Sequence, residues 1–339
     1  MPILKISEGS IRHAAELISA GELVAFPTET VYGLGGDAFN PSALAKIFEA
    51  KGRPRFDPLI VHIADLGALE RVADLSSLEG AARRRLSLLA ENLWPGPLTL
   101  VLRKQNAVPD LATSGLPTIA VRLPAHEDAR RLIALSTGAV AAPSANPFGY
   151  LSPTNAGHVV QTLGEKIALI LDGGQTQVGI ESTVFDIQSG LILRPGGTPK
   201  EAIEALVGSV ETGASSIEQD SPLPSPGLLK SHYAPRSPLV AHDSESMRAL
   251  PDCAESAFLF FDGASLGAWL DGRLPEECAA LAIAALCETG DAAKAAAQLF
   301  QTLHELDRLR PKIIHAQLAP ERGIGMAIND RLRRGAGNA

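Results

Sequence analysis

Short, continuously apolar runs alternate with helix-patterned stretches through the first part of this chain, and two of the runs lie only a turn apart. Leu23 to Phe26, Leu59 to Ile63, Leu98 to Leu102, Thr118 to Leu123, Ala139 to Ala142 and Ala168 to Leu171 read as strands. Runs so short and so apolar fit strands buried on both faces. Helices are expected between them. One opens at Ser10, runs through Ala14, Leu17 and Ile18, and stops at Gly21. Others cover Ala43 to Ala50 with Ser42 as cap, Ser76 or Ser77 to about Leu93, Ala129 to Leu135, and the stretch from a Thr154 cap to Leu163. A helical crossover brings the chain back to a parallel neighbour. Ser182 to Ile187 and Leu191 to Leu193, separated by Gln188-Ser189-Gly190, read instead as a hairpin. The expected fold is therefore α/β with a mixed rather than a purely parallel sheet.

The composition shifts after about Val207. Gly208 to Ser231 contains Gly-Ala-Ser-Ser and then Ser-Pro-Leu-Pro-Ser-Pro-Gly, with few large apolar residues, and reads as a linker. Beyond it, Leu239 to Ala241, Ala257 to Phe261 and Lys312 to His315 read as strands. Leu281 to Cys287, Ala292 to Leu309 and Gly325 to Arg334 read as helices. The expected organisation is a first domain over 1–207, a linker or lid over 208–235 and a small α/β domain over 236–339. A length of 339 residues agrees with two domains.

Charge and cysteine usage narrow the class. The formal net charge is -8, against the basic balance of proteins that hold long nucleic acid through many phosphates. Cys253, Cys278 and Cys287 form no C-x-x-C, so neither a disulfide framework nor a zinc site is expected, and a reducing, cytoplasmic setting is. The opening MPILKISEGS lacks the apolar core of a signal peptide. The longest apolar run, Ala279 to Leu286, falls far short of the ~20 residues of a membrane span.

Motifs for a P-loop, a zinc protease or a nucleophile elbow are missing, and Gly33-Leu34-Gly35-Gly36 lacks dinucleotide-binding spacing. What stands out is polar residues at the ends of apolar strands. Pro27-Thr28-Glu29-Thr30-Val31-Tyr32-Gly33-Leu34 follows the first, and Lys51-Gly52-Arg53-Pro54 precedes the one that ends near His62. Thr118 and Arg122 flank another, Pro143-Ser144-Ala145-Asn146 closes the next, and Glu181-Ser182-Thr183 and Arg194-Pro195-Gly196-Gly197 bracket the hairpin. Strand ends are where open α/β sheets bind ligands. Lys51, Arg53, Arg122 and Arg194 supply positive charge there, and the hydroxyls supply directional hydrogen bonds. Singly, an arginine is a surface ion-pair partner, Ser144 and Asn146 are turn formers, Thr30 or Ser182 is a cap, and His62 is a core histidine.

Together, and in this order, Thr-Glu-Thr-Val-Tyr-Gly-Leu, Lys-x-Arg-Pro, Trp-Pro-Gly-Pro-Leu-Thr, Ser-Ala-Asn and Glu-Ser-Thr-Val closely resemble the YrdC-like family of threonylcarbamoyl-AMP synthases, over roughly Gly9 to Leu206. Ser225-Pro226-Gly227, His232-Tyr233-Ala234-Pro235 and the run from Gly323 to Leu332 resemble the long, two-domain form of that family. The resemblance implies a twisted mixed sheet with helices around a deep, positively lined cavity, plus a small Rossmann-like second domain. It implies that L-threonine, bicarbonate or CO2, and ATP give L-threonylcarbamoyladenylate and pyrophosphate. A separate transferase complex would then use the product to form t6A at adenosine 37 of ANN-reading tRNAs. Direct tRNA binding is expected to be weak or indirect.

The same resemblance assigns Thr30, His62, Arg122, Ala142 (through its backbone) and Ser182 to L-threonine. It assigns Arg53, Asp57, Thr118, Ser144, Ser152, Arg194 and Tyr233 to ATP, and it places Lys51 with Arg53 and Ser144 with Asn146 near the phosphates as catalytic pairs. Asp57 departs from the nitrogen-bearing residue often found there. A carboxylate repels phosphate, which counts against contact through its side chain and leaves contact through its backbone open. Mg²⁺ is expected to arrive with ATP rather than in a protein cage. A carbamate is itself a nucleophile, which agrees with the lack of an enzyme nucleophile in the sequence. Two alternatives are a carbamoyladenylate-forming carbamoyltransferase and an RNA-binding module. The first would bring cysteine clusters and extra length, and the second a basic balance.

Overall fold

The computed structural model describes residues 2–213, 232–271 and 279–337. By its internal contacts the chain divides into two compact units. One comprises Met1–Phe148, Pro153–Gln177 and Glu181–Leu228, and the other Gly149–Ser152, Val178–Ile180 and Leu229–Ala339. Two short segments inside the span 1–207 thus group with the second unit. So does His232-Tyr233-Ala234-Pro235, which the sequence reading placed at the end of the linker. The linker stretch 214–231 lies outside the described residues.

The first unit holds β1 (Ile3–Lys5), β2 (Val24–Phe26), β3 (Gly33–Asp37), β4 (Ile60–Ile63), β5 (Leu98–Arg103), β6 (Thr118–Arg122), β7 (Ala139–Ala141), β8 (Leu169–Asp172), β9 (Thr183–Asp186), β10 (Leu191–Arg194) and β11 (Glu211–Thr212). They form one sheet in the order β1-β8-β2-β3-β7-β4-β6-β5-β9-β10-β11. The sheet is mixed. β2–β8, β4–β6 and β5–β9 are parallel, whereas β2–β3, β4–β7, β5–β6 and the β9–β10 hairpin are antiparallel.

Register decides which residues share a face. His62 pairs with Arg122 and with Val140, Arg122 pairs with Thr99, and Thr99 pairs with Val184. These side chains point the same way, as do their neighbours two residues along each strand. Over β8, β2 and β7 that face is packed by the helices Glu8–Ser19 and Glu127–Leu135, through Ile11, Ile18, Leu132 and Ile133 against Val24, Val140 and Leu169. Over β4, β6, β5, β9 and β10 it carries a separate, small cluster of Ile60, Val101, Ala120, Val184 and Leu193. The opposite face packs the main core, including helices Pro41–Lys51 and Gly80–Leu93.

Helix starts depart from the sequence reading by a few residues. Ser7 caps the first helix, with Ser10 as its reciprocal partner three residues on. Asn40, not Ser42, accepts the free amides of the second, with Pro41 opening the helix. The long helix starts at Gly80 rather than at Ser76 or Ser77, and Asn155 rather than Thr154 caps the helix Ala156–Thr162. The strand β3 was not expected from its glycines. A Cβ at Gly35 would lie 2.6 Å from Phe26 and 3.1 Å from Val140, so only glycine lets this strand pass so close to its neighbours.

The second unit is a sheet of β12 (Leu239–His242), β13 (Ser256–Asp262), β14 (Ala282–Cys287) and β15 (Ile313–Gln317), parallel throughout in the order β12-β15-β13-β14. Helices Ala292–Arg308 and Gly325–Gly335 belong to it. The expected helix over Leu281 to Cys287 is strand β14. Its alanines favour helix, but pairing with β13 from Ala282 to Cys287 satisfies its backbone and overrides that local preference.

Candidate active site

The part of this face over β4, β6, β5, β9 and β10 collects several of the polar strand ends. Arg122 ends β6 and is buried, with 3% of its surface exposed. Its Nη1 donates to Thr30 Oγ1 at 2.8 Å and its Nε to the Gly96 carbonyl at 3.2 Å. Its Nη2 lies 2.6 Å from Glu29 Oε1, in an ion pair whose two members are both buried. Thr30 shares a 2.8 Å hydroxyl contact with Thr28, which donates in turn to the Val31 carbonyl. His62, beside Arg122 in register, is buried, and burial together with the Arg122 charge lowers its pKa to about 3. It is neutral at pH 7. Burial raises the Glu29 carboxyl, but Arg122 and nearby amides outweigh it and the net shift is downward.

Ser182 stands just before β9, where its Oγ meets Thr99 Oγ1 at 2.7 Å. Arg194, at the end of β10, donates from Nη2 to the Ser182 carbonyl at 2.9 Å. Ser182 and Arg194, assigned by the resemblance to different substrates, are thus neighbours. Ala142 places its amide on the Ile60 carbonyl at 3.0 Å. Thr118 opens the strand that Arg122 closes, on the same face. At ~3.3 Å per residue the two stand roughly 13 Å apart, the length of the apolar floor between them.

The second cationic group lies in a folded loop. Lys51 ends the helix Pro41–Lys51, and its buried Nζ donates to the backbone carbonyls of Ser144 and Asn146, both at 2.6 Å. Burial, and then the Arg53 charge, hold its pKa well below the usual lysine value, with Asp57 and Glu181 opposing. Two of its three N–H donors thus shape the Ser-Ala-Asn turn. Arg53 donates from Nε to the Asp57 carbonyl at 3.0 Å and from Nη2 to the Pro58 carbonyl at 2.6 Å. Its Nη2 also pairs with the Asp57 carboxylate at 2.9 Å. Asp57 is fully buried, so its negative charge is directed at Arg53.

Ser152 and Tyr233 belong to the second unit. His304 donates through Nε2 to the Ser152 carbonyl at 3.1 Å. Tyr233 is a non-glycine residue in the left-handed region, at φ 62°. Its ring meets His232 edge-on with centroids 4.1 Å apart, lies 5.8 Å from Phe300, and has the Arg331 guanidinium 4.9 Å from its centroid. Within the first unit, the structure joins Arg122 with Thr30, and Lys51 with Ser144 and Asn146. It also joins Arg53 with Asp57, and Ser182 with Arg194.

Sequence reasoning passed over Glu29, Thr99 and Glu181. Glu29 had a usable signal. A carboxylate between two threonines, in a stretch otherwise ready for burial, needs a cation in the fold. Thr99 closes the Trp-Pro-Gly-Pro-Leu-Thr motif, but its partner Ser182 could not be named, because that contact depends on the pairing of β5 with β9. Among the described residues no group of three or more His, Cys, Asp or Glu side chains could hold a metal ion. Glu29 and Asp57 are each taken up by an arginine.

Comparison with known proteins covers the whole chain. A family model described as "Telomere recombination" (Sua5/YciO/YrdC) matches residues 16–196. A second, described as "Threonylcarbamoyl-AMP synthase, C-terminal domain", matches residues 198–337. A threonylcarbamoyl-AMP synthase of Pyrococcus abyssi is 40% identical over 338 residues, covering 98% of this chain and 96% of the relative. One of Bacillus subtilis is 39% identical, covering 98% and 95%. The crystal structure of Pyrococcus abyssi Sua5 complexed with L-threonine superposes with a TM-score of 0.87 at 38% identity, over 100% of this chain and 98% of that one.

Proposed function

This chain belongs to the family of threonylcarbamoyl-AMP synthases in its long, two-domain form, and on that premise we propose how its site works. The reaction joins L-threonine to the adenylate of ATP through a carbamoyl group, giving L-threonylcarbamoyladenylate and pyrophosphate. Bicarbonate or CO2 supplies the carbamoyl carbon. The product passes to a separate transferase complex that modifies adenosine 37 of ANN-reading tRNAs. The reaction takes place in the cytoplasm, and no helix among the described residues is long and apolar enough to cross a membrane.

Arg122 grips the threonine carboxylate, since a guanidinium matches two oxygens at once. Thr30, His62, Ser182 and the backbone at Ala142 surround the rest of the amino acid. The neutral threonine amine adds to CO2 and releases one proton to water, which gives a carbamate, and a carbamate oxygen attacks the α-phosphate as pyrophosphate leaves. Both partners are anionic, and bringing them together in a buried site is costly. Lys51 and Arg53 offset that cost and stabilise the transition-state charge. Ser144 and Asn146 carry the turn that Lys51 shapes. Magnesium would arrive on the phosphate oxygens of ATP and would offset part of their charge. Thr118, Ser152, Arg194 and Tyr233 are assigned to the nucleotide, and Asp57 acts through Arg53 and its backbone. The remainder of the rate comes from positioning.

The observation that carries this reading is the buried Arg122, set beside Thr30 and neutral His62 on the sheet face that carries the small cluster of Ile60, Val101, Ala120, Val184 and Leu193. Pyrophosphate release from ATP tests it. Omitting either L-threonine or bicarbonate should abolish release. Release that persists without threonine would point to the carbamoyltransferase alternative.

A further inference from the structure

Glu29, in the loop after β2, faces Arg122, and the assigned roles leave its chemistry unused. It is buried, with 5% of its surface exposed, and its carboxylate faces the guanidinium proposed to hold the substrate. Neither of its carboxylate oxygens accepts a hydrogen bond of ordinary geometry among the described residues, and neither does Arg122 Nη2 donate one. The contact between them is one of opposite charges at 2.6 Å, not an aligned hydrogen bond. The Ala125 amide and Glu29's own amide help hold the charge without reaching that geometry. A buried carboxylate with open acceptor positions calls for a donor that the described residues do not supply in good geometry.

Charge counting says what that donor is. Arg122 and Glu29 together are neutral. If a substrate carboxylate is added to Arg122 alone, one buried cation must serve two buried anions, which is strongly unfavourable. If the substrate brings a cation of its own, the balance is restored.

We propose that Glu29 binds the α-ammonium group of L-threonine, so that Glu29 and Arg122 together form a receptor for an amino-acid zwitterion. The proposal rests on the reading that Arg122 takes the threonine carboxylate. The ammonium supplies the donors that the Glu29 oxygens lack, and the carboxylate supplies acceptors for Arg122. Carboxylic acids without an α-amine are excluded by repulsion from Glu29, which is specificity by a mismatched charge. The contact holds only while the nitrogen is charged.

The test compares two ligands by titration calorimetry on the full chain. L-Threonine is one, and 3-hydroxybutanoate, which keeps the carboxylate, hydroxyl and methyl but lacks the amine, is the other. The unmodified protein should bind threonine more than tenfold tighter. Glu29→Gln should weaken threonine more than tenfold, while 3-hydroxybutanoate binds as before or more tightly, because Arg122 has lost its competitor. A purely structural role would weaken both ligands alike, and that outcome overturns the proposal. So does unchanged threonine affinity in Glu29→Gln. If Glu29→Gln fails to fold, the unmodified protein decides, and equal affinity for the two ligands refutes the proposal. Arg122→Gln separates the premise. Threonine affinity that survives it sinks the carboxylate reading. Affinity lost there but kept in Glu29→Gln sinks only the ammonium assignment.

Discussion

Arg122 and Glu29 hold each other in a place where neither charge could be buried alone. Arg122→Ala should therefore have two effects. It leaves the Glu29 carboxylate without its counter-charge, at a cost of about 3–5 kcal/mol in folding stability. It also removes the proposed carboxylate partner and should weaken threonine binding by more than ~2 kcal/mol. Calorimetry on the folded fraction checks the second effect, and unchanged affinity would rule it out. His62 makes a separate prediction. Its folded pKa of about 3 lies below its ordinary 6.5, so between those values the unfolded chain binds a proton that the folded chain refuses. Stability is full above pH 6.5 and falls as the pH drops toward 3, by about 1.4 kcal/mol per unit from this group. His304, lowered by burial to about 4, adds its own share. His62→Gln should therefore lose less stability between pH 7 and pH 5 than the parent, by about 2 kcal/mol. Urea unfolding at the two pH values measures the difference, and an identical acid loss in both proteins would refute the assignment.

At the scale of elements, the hairpin β9–β10 and the loop after it carry one corner of the site. Arg194 reaches back from the end of β10 to the Ser182 carbonyl, and Ser182 reaches across to Thr99 on β5. Gly196 makes this possible. A Cβ there would fall on the backbone of Ser182 and Thr183, and backbone cannot swing aside as a flexible side chain can. Gly196→Ala should cost about 1–3 kcal/mol through overpacking. Displacing Ser182 should also lower turnover, by up to ~10²-fold. Steady-state kinetics beside a thermal melt would check it, and normal turnover in a folded variant would show that Ser182 tolerates the shift. The hairpin itself was legible, because two apolar runs flank a three-residue polar turn. Its partnership with β5 was not. Nothing in the chain order announces that β9 lies parallel to β5, since the two are joined only through several intervening elements.

At the scale of the molecule, one buried carboxylate ties together parts of the second unit that are far apart in sequence. Asp307, on the helix Ala292–Arg308, accepts the Tyr150 hydroxyl at 2.7 Å and the Ser237 amide at 2.9 Å. Tyr150 lies in the segment Gly149–Ser152, and Ser237 follows the His232-Tyr233-Ala234-Pro235 motif. The Ala234 amide adds a bond to the Gly149 carbonyl at 2.8 Å. Asp307→Ala removes the acceptor of the buried Ser237 amide and of the half-buried Tyr150 hydroxyl and should destabilise this unit by roughly 1–3 kcal/mol. Asp307→Asn keeps an acceptor oxygen and should lose less. Denaturant unfolding followed at Trp269, which is buried in the same unit, resolves the two variants. Equal stability of Asp307→Ala and the parent would mean that the knot contributes nothing.

The sequence by itself determined the fold class, the mixed sheet and the catalogue of strand-end residues. Continuous apolar runs, a short polar turn and helix periodicity are local signals, and each is fixed by the residues that carry it. Helix starts were legible only to within a few residues, because Ser, Thr and Asn near a terminus compete for the same free amides. Strand β14 was misread because alanine's helix preference is local, whereas its pairing with β13 is not. Only the tertiary structure decided who faces whom. It turned Lys51 onto the Ser144 and Asn146 carbonyls, paired Asp57 with Arg53, and set Glu29 against Arg122. Each of those contacts joins a charge to a partner chosen by burial. Water would have solvated the same groups apart, so no pattern in the order of residues could have named the pairs.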